Sequence, residues 1–295
     1  MTSPKLFDVA VDGGRVRAAR WGATDAPTAV AAHGITSSHV FWSMIGQMLA
    51  DRGLALLAPD LRGRGDSSEP SGTSSMAAHA QDLLTVCAHL GVEPSVVVGH
   101  SMGGFVAAVC GVRHPDFIQR VVLVDGGPPI GDQLPPDSDV EAVLLQVIGP
   151  SLERLEQRFA TPQDYRDFWH AHPACAGIPD DLIDAYADHD LRPDGDVWRS
   201  KVSRRAVLED ARALLQESEV REAVANLRCP TTFIHAERGM LDGPDGLYPA
   251  SQVDSLVGDL AHVRTLFALD TNHFTIGMSP HGAAIVTDAI ADSMA

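Results

Sequence analysis

At 295 residues the chain is long for one minimal domain and short for two, which points to one core carrying an insertion. A content of 45% hydrophobic and 21% charged residues is that of an ordinary globular protein and excludes a disordered or fibrous one. With 22 Lys and Arg against 39 Asp and Glu, the formal net charge of −17 excludes nucleic acid as a main partner and disfavours anionic membranes. Lys5 and Lys201 are too far apart to make a polybasic anchor. No run of 18 apolar residues occurs, so no membrane helix is expected. Met1 to Phe7 carries one lysine and no following apolar run, so no secretory leader is expected. Cys87, Cys110, Cys175 and Cys229 are widely spaced without a C-x-x-C pair, which predicts free thiols and a cytoplasmic chain.

In chain order, Phe7 to Val11 and Val16 to Trp21 read as strands joined by a hairpin at Asp12-Gly13-Gly14. Thr28 to Ala32 is a strand ending at His33-Gly34. Val40 to Ala50 has helical periodicity, with Phe41, Met44, Ile45, Met48 and Leu49 on one face. The strand Leu54 to Ala58 ends at Pro59-Asp60 and is followed by a helix over Met76 to Leu90. Ser95 to Val98 and Val121 to Val124 are apolar strands on either side of a helix over Met102 to Arg113. Uninterrupted apolar strands alternating with helices predict a mostly parallel α/β sheet flanked by helices on both faces.

After Gly126-Gly127-Pro128-Pro129 the alternation stops. From Asp139 to Glu222 the signals are mainly helical, with candidates at Val140 to Ile148, Leu152 to Phe159, Gln163 to His170 and Asp180 to Ala187, and no convincing buried strand. The sheet pattern resumes at Thr231 to His235 and Val263 to Leu269, and Pro280 to Met294 closes the chain as a helix. The expected organisation is a core of residues 1–130 and 223–295, with residues 131–222 a helical cap inserted after the sixth strand.

Val96-Val97-Val98-Gly99-His100-Ser101-Met102-Gly103-Gly104 reads as a strand, a tight turn and a helix start, and matches G-x-S-x-G. In such an elbow the serine sits at a strained corner with its hydroxyl above the sheet. The glycines leave room where a side chain would clash, and the positive end of the next helix faces developing negative charge. This segment, with His33-Gly34-Ile35-Thr36-Ser37-Ser38, Asp60-Leu61-Arg62-Gly63-Arg64-Gly65-Asp66-Ser67 and Asn272-His273-Phe274, resembles the α/β-hydrolase fold superfamily over nearly the whole chain outside the cap.

A serine hydroxyl needs a base. His273 follows the last strand by a few residues, where the resemblance places the base, and it is the candidate among 13 histidines. The acid is less clear. Most relatives carry it after the strand equivalent to Thr231–His235, but Ala236-Glu237-Arg238-Gly239 puts a glycine there. Asp125, at the tip of Val121–Val124, is the leading candidate, as in some capped esterases and lactonases. Asp242 and Glu237 are the alternatives. The resemblance implies an oxyanion hole from the backbone N–H groups of Ile35 and Met102.

Six aromatic residues lie in the cap, and Trp169 and Trp198, with His33 of the core, are the candidates for binding substrate. His170, His172, Cys175 and His189 match no standard zinc spacing, so neither metal nor cofactor is expected. The expected activity is hydrolysis of an ester or lactone of a small-to-medium apolar molecule, by a monomer or homodimer. Alternatives are carbon–carbon bond hydrolysis of a diketone-type substrate, which a cap arginine near the serine (Arg192, Arg199 or Arg204) would favour, and a slow-turnover ligand receptor. Aspartate in place of Ser101 would have pointed to an epoxide hydrolase or dehalogenase.

Overall fold

The computed structural model describes residues 3–67 and 71–295; the first two positions of the segment read for a leader lie outside them. The antiparallel hairpin β1 (Lys5–Val11) and β2 (Gly14–Trp21) leads to β3 (Thr28–Ala32), α1 (Ser43–Asp51), β4 (Ala55–Pro59), α2 (Met76–His89), β5 (Val96–His100), α3 (Met102–Arg113) and β6 (Arg120–Val124). An inserted segment follows: α4 (Val140–Glu153), α5 (Pro162–His170), α6 (Asp180–Asp190), β7 (Leu191–Asp194), β8 (Val197–Ser200), α7 (Arg204–Gln216), α8 (Ser218–Arg221) and α9 (Ala223–Asn226). The core then closes with β9 (Thr231–Ala236), α10 (Ala250–Val257), β10 (Val263–Ala268), α11 (Thr275–Met278) and α12 (Pro280–Met294). Among the described residues no helix is long and apolar enough to cross a membrane.

Eight strands form one sheet in the order β1-β2-β4-β3-β5-β6-β9-β10, and this is the α/β-hydrolase fold. β2 pairs antiparallel with β1 and β4; all other pairs are parallel. Every residue of β3, β4 and β5 is buried, which is why those strands read as unbroken apolar runs. Parallel strands deliver their following loops to one edge, where an open α/β sheet binds ligands. That edge receives the loops after β3, β5, β6, β9 and β10.

The insertion differs from the sequence reading in two places. Val140–Glu153 is one helical segment kinked at Ile148, followed by a short 3-10 turn over Arg154–Glu156, so the helix expected over Leu152 to Phe159 is not formed. Phe159 is extended and bridges Trp198. The insertion also contains a two-stranded antiparallel ribbon, β7–β8, turning at Gly195 with φ +65°. Its residues are largely exposed or half-buried, so no buried apolar run announced it; the Asp194-Gly195 turn was its only local signal.

The insertion is tied to the core by charge. Buried Asp60 accepts from His39 Nδ1 at 2.8 Å and from His189 Nε2 of α6 at 2.7 Å. These three side chains place possible metal-ligand atoms within 4.8 Å of one another, but here they are one another's partners. Burial alone would raise the Asp60 carboxyl, yet His39 and His189 hold it well below the usual range. Burial alone would lower His189, yet Asp60, helped by Asp66 and opposed by Lys201, raises it. A depressed carboxyl stabilises the fold above its unfolded value near pH 4 and loses that as pH falls through the folded value. A raised imidazole stabilises below about 6.5 and loses that as pH rises through the folded value. His189→Gln is therefore expected to lower the thermal midpoint most between about pH 4 and 6.5, by roughly 2–4 °C. The difference should shrink by about pH 9; a midpoint difference that does not change with pH would sink this account.

Candidate active site

Ser101 follows β5 with φ +55° and ψ −125°, a strained conformation for a residue with a side chain. Its backbone N–H donates to Val124 O at 3.0 Å, which continues the β5–β6 pairing into the corner. A Cβ on Gly99 would collide with the Gly103 carbonyl, and one on Gly103 with the Ala32 carbonyl, so the tight crossing of strand and helix requires both glycines. α3 starts at the next residue, with its N-terminal end at Ser101.

His273 Nδ1 lies 2.6 Å from Asp125 Oδ2, and both residues are buried. Asp125 follows β6 at φ +45°; its N–H donates to Ile234 O at 2.7 Å and its Oδ1 accepts from Ala236 N–H at 3.1 Å. That grip on β9 leaves Oδ2 aimed at the imidazole. With Nδ1 donating to the carboxylate, Nε2 is left to accept a proton. The two alternative acids are engaged elsewhere. Asp242 accepts from Arg238 Nε at 2.7 Å and from Asn272 Nδ2 at 2.9 Å. Glu237 accepts from Asp270 N–H at 2.9 Å. Asn272 Oδ1 in turn accepts from the N–H groups of Phe274 and Thr275, both at 2.9 Å, and so pins the turn that carries His273.

His100 supports His273 from behind. Burial, and then the neighbouring His273, push its ring well below the usual histidine range. The neutral ring stacks on Phe41 with centroids 4.0 Å apart, and its Nε2 donates to His273 O at 2.8 Å. Tyr248 is buried near Asp125, and burial followed by that charge keeps its phenol protonated. Its hydroxyl donates to Pro128 O at 2.7 Å.

The loop after β3 lies against the serine: a Cβ on Gly34 would come within 3.2 Å of Ser101 Cβ. Fully buried His33 accepts from Leu61 N–H on Nε2 at 2.9 Å, which makes Nδ1 the protonated nitrogen; that nitrogen donates to Gly34 O at 2.8 Å. Burial lowers this ring to about 3, consistent with the neutral form. Among the described residues the Ile35 N–H bonds to no backbone or side-chain acceptor. Met102, as the first residue of α3, has an N–H with no partner inside its helix.

Two small cavities meet at Ser101. The larger, about 60 Å³, is walled by Ile35, Met102, Phe105, Ile130, Leu144, Ile148, Leu214 and Leu247 and is almost wholly apolar. The smaller, about 20 Å³, also contains His273 and is bounded by Ser37, Phe41, Ser151, Tyr186 and Phe274. Ser101 Oγ and His273 thus share a cavity without being hydrogen-bonded in this structure.

The structure brings Ser101, His273, Asp125, Ile35 and Met102 together. It does not bring the three expected substrate contacts there. Trp169 is buried within the insertion, its ring 5.0 Å from the Arg154 guanidinium and packed on Tyr186. Trp198 sits on β8 against Phe159. His33 is sealed beneath its own loop. Arg192, Arg199 and Arg204 line an outer cleft with Arg15, Lys201 and Arg205 and do not reach the serine cavities. The insertion's share of the apolar wall is instead aliphatic residues of α4 and α7, which look like any amphipathic helix in sequence and carry no residue-type signal.

A sequence model of the alpha/beta hydrolase fold matches residues 30–277, and the chain belongs to that family. It is 30% identical over 165 residues to an uncharacterized protein of Mycobacterium tuberculosis, and the match spans about half of both chains, 53% of this one and 48% of the relative. It is 37% identical over 103 residues to an sn-1-specific diacylglycerol lipase of Mus musculus, covering 35% of this chain and 33% of that one. The solved structure of an E-2-(acetamidomethylene)succinate hydrolase superposes with a TM-score of 0.77 over 99% of each chain at 20% identity, a likeness of fold.

Proposed function

We propose that the chain is a serine hydrolase of carboxylic esters or lactones, acting through an acyl-enzyme on apolar acyl groups. The observation that carries this reading is the 2.6 Å contact of His273 Nδ1 with Asp125, beside a serine in a strained elbow that shares a cavity with the imidazole. In the proposed cycle Ser101 Oγ attacks the carbonyl carbon while His273 Nε2 takes its proton. Asp125 holds the ring in the needed tautomer and stabilises the imidazolium, and the N–H groups of Ile35 and Met102 receive the oxyanion. His273 then protonates the leaving alcohol, and a water activated by the same ring releases the acid. Hydrogen bonds between nucleophile and base are often loose without substrate, and the open Ser101–His273 contact is of that kind.

Residues 131–222 act as the cap in this reading, since α4 walls both cavities, α7 the larger one and α6 the smaller one. The apolar cavity takes the acyl chain; the more polar one takes the leaving group. The outer placement of Arg192, Arg199 and Arg204 removes the feature that would have favoured a diketone substrate.

A series of p-nitrophenyl esters tests this. From acetate to butyrate, kcat/KM is expected to rise by up to about fourfold per methylene, the value of burying about 0.8 kcal/mol each. It should fall once the chain outgrows a cavity of about 60 Å³. A preference for anionic acyl groups over apolar ones would overturn the apolar-acyl reading. No turnover on any ester or lactone would overturn the hydrolase reading.

A further inference from the structure

We propose that two buried arginines, Arg64 of the core and Arg154 of the insertion, are positioning residues that aim the oxyanion-loop N–H groups, so that the hole is complete only while α4, α6 and α7 are docked. The inference rests on the reading of Ile35 as an oxyanion donor.

Three successive carbonyls of the loop are each held by a buried side chain. Gly34 O accepts from His33 Nδ1 at 2.8 Å, Ile35 O from Arg64 Nε at 3.0 Å, and Thr36 O from Arg154 Nη2 at 3.2 Å. A peptide unit is planar, so fixing a carbonyl fixes the opposed N–H. Holding Gly34 O directs the Ile35 N–H, and holding Ile35 O directs the Thr36 N–H. The Ser37 N–H folds back to Gly34 O at 3.1 Å and closes the turn, so tilting any one unit tilts the others.

Both arginines are fully buried, and both are anchored by carboxylates of the insertion. Arg64 Nη1 pairs with Asp210 of α7 at 2.7 Å. Arg154 Nη1 pairs with Asp190 at the end of α6, Tyr165 of α5 donates to the same carboxylate, and Trp169 packs over the guanidinium. Burying these charges is costly unless they are paired and hydrogen-bonded, so each guanidinium is confined to one geometry. The planar fork lets one side chain hold a carboxylate and a loop carbonyl at once, which a lysine ammonium does less well. The loop is therefore aimed from the insertion as well as from the sheet.

The test compares the wild-type chain with Arg154→Met and Arg154→Lys, measuring kcat and KM on p-nitrophenyl butyrate, the affinity of a trifluoromethyl ketone analogue of that ester, and the thermal midpoint. A misaimed oxyanion donor costs on the order of 10- to 100-fold, so Arg154→Met should lose that much in kcat and in ketone affinity together, with KM within about threefold. Arg154→Lys, which keeps a charge for Asp190, should fold and show a smaller loss of the same pattern. If Arg154→Met does not fold, Arg154→Lys and Asp190→Asn carry the comparison. Kinetics and ketone affinity within about twofold of wild type in the folded variants would overturn the proposal. So would losses that follow only the folded fraction. A wild-type chain that neither turns over the ester nor binds the ketone would fail earlier, at the hydrolase reading itself, and would take this proposal with it.

Discussion

Ser101→Ala is expected to leave a folded chain with kcat for ester hydrolysis reduced on the order of a thousandfold or more, the usual consequence of deleting a nucleophile from a triad. The change removes one hydroxyl that makes no capping hydrogen bond to α3, and alanine can occupy the corner that serine already occupies. Circular dichroism and the thermal midpoint should therefore match the parent. A sulfonyl fluoride or fluorophosphonate should label the parent at Ser101 and leave the variant unlabelled. Full activity in a folded Ser101→Ala chain, or labelling confined to another residue, would remove Ser101 from the mechanism.

The second expected effect separates Asp125 from Asp242. Asp125→Asn keeps the size of a fully buried side chain and the acceptor facing Ala236 N–H. It replaces the acceptor facing His273 Nδ1 with an amide that can donate, which favours the wrong tautomer and leaves Nε2 protonated. The expected loss in kcat is on the order of ten-thousandfold, as for the same change in serine proteases. Asp242→Asn touches His273 only through Asn272, which has further partners in Ala174 O and the N–H groups of Phe274 and Thr275, so a far smaller loss is expected. The reverse ranking of the two variants would transfer the acid's role to Asp242.

The candidate acid shows how a local pattern can be read against a family resemblance. The resemblance implies a carboxylate where Gly239 stands, and that gap, with Asp125 ending a neighbouring strand, made Asp125 the leading candidate ahead of Asp242 and Glu237. The structure adds the reason the geometry works: β6 and β9 are paired, so the Asp125 N–H reaches Ile234 O, its Oδ1 reaches Ala236, and its Oδ2 is left for the imidazole. Aromatic content was a poorer guide. Trp169 and Trp198 are large and apolar, as a substrate pocket would need, but a small insertion needs such residues for its own interior. Trp169 is used there, against Arg154 and Tyr186.

What the sequence by itself determined was what depends on near neighbours in the chain. Unbroken apolar runs specified buried parallel strands, glycine spacing specified the elbow, and strand-end position, read with the family resemblance, made His273 and Asp125 candidates. What the tertiary structure alone decided depends on contacts across long sequence separations. The β7–β8 ribbon is too polar to show as a buried strand. The insertion's share of the apolar walls beside Ser101 comes from helices whose apolar faces are generic until something is seated on them. Arg64 and Arg154 look like surface arginines of charged segments until Asp210 and Asp190 are brought against them, 146 and 36 positions further along the chain. Burial turns an arginine into a rigid fork only when a specific carboxylate is folded onto it, and that pairing is a property of the assembled molecule.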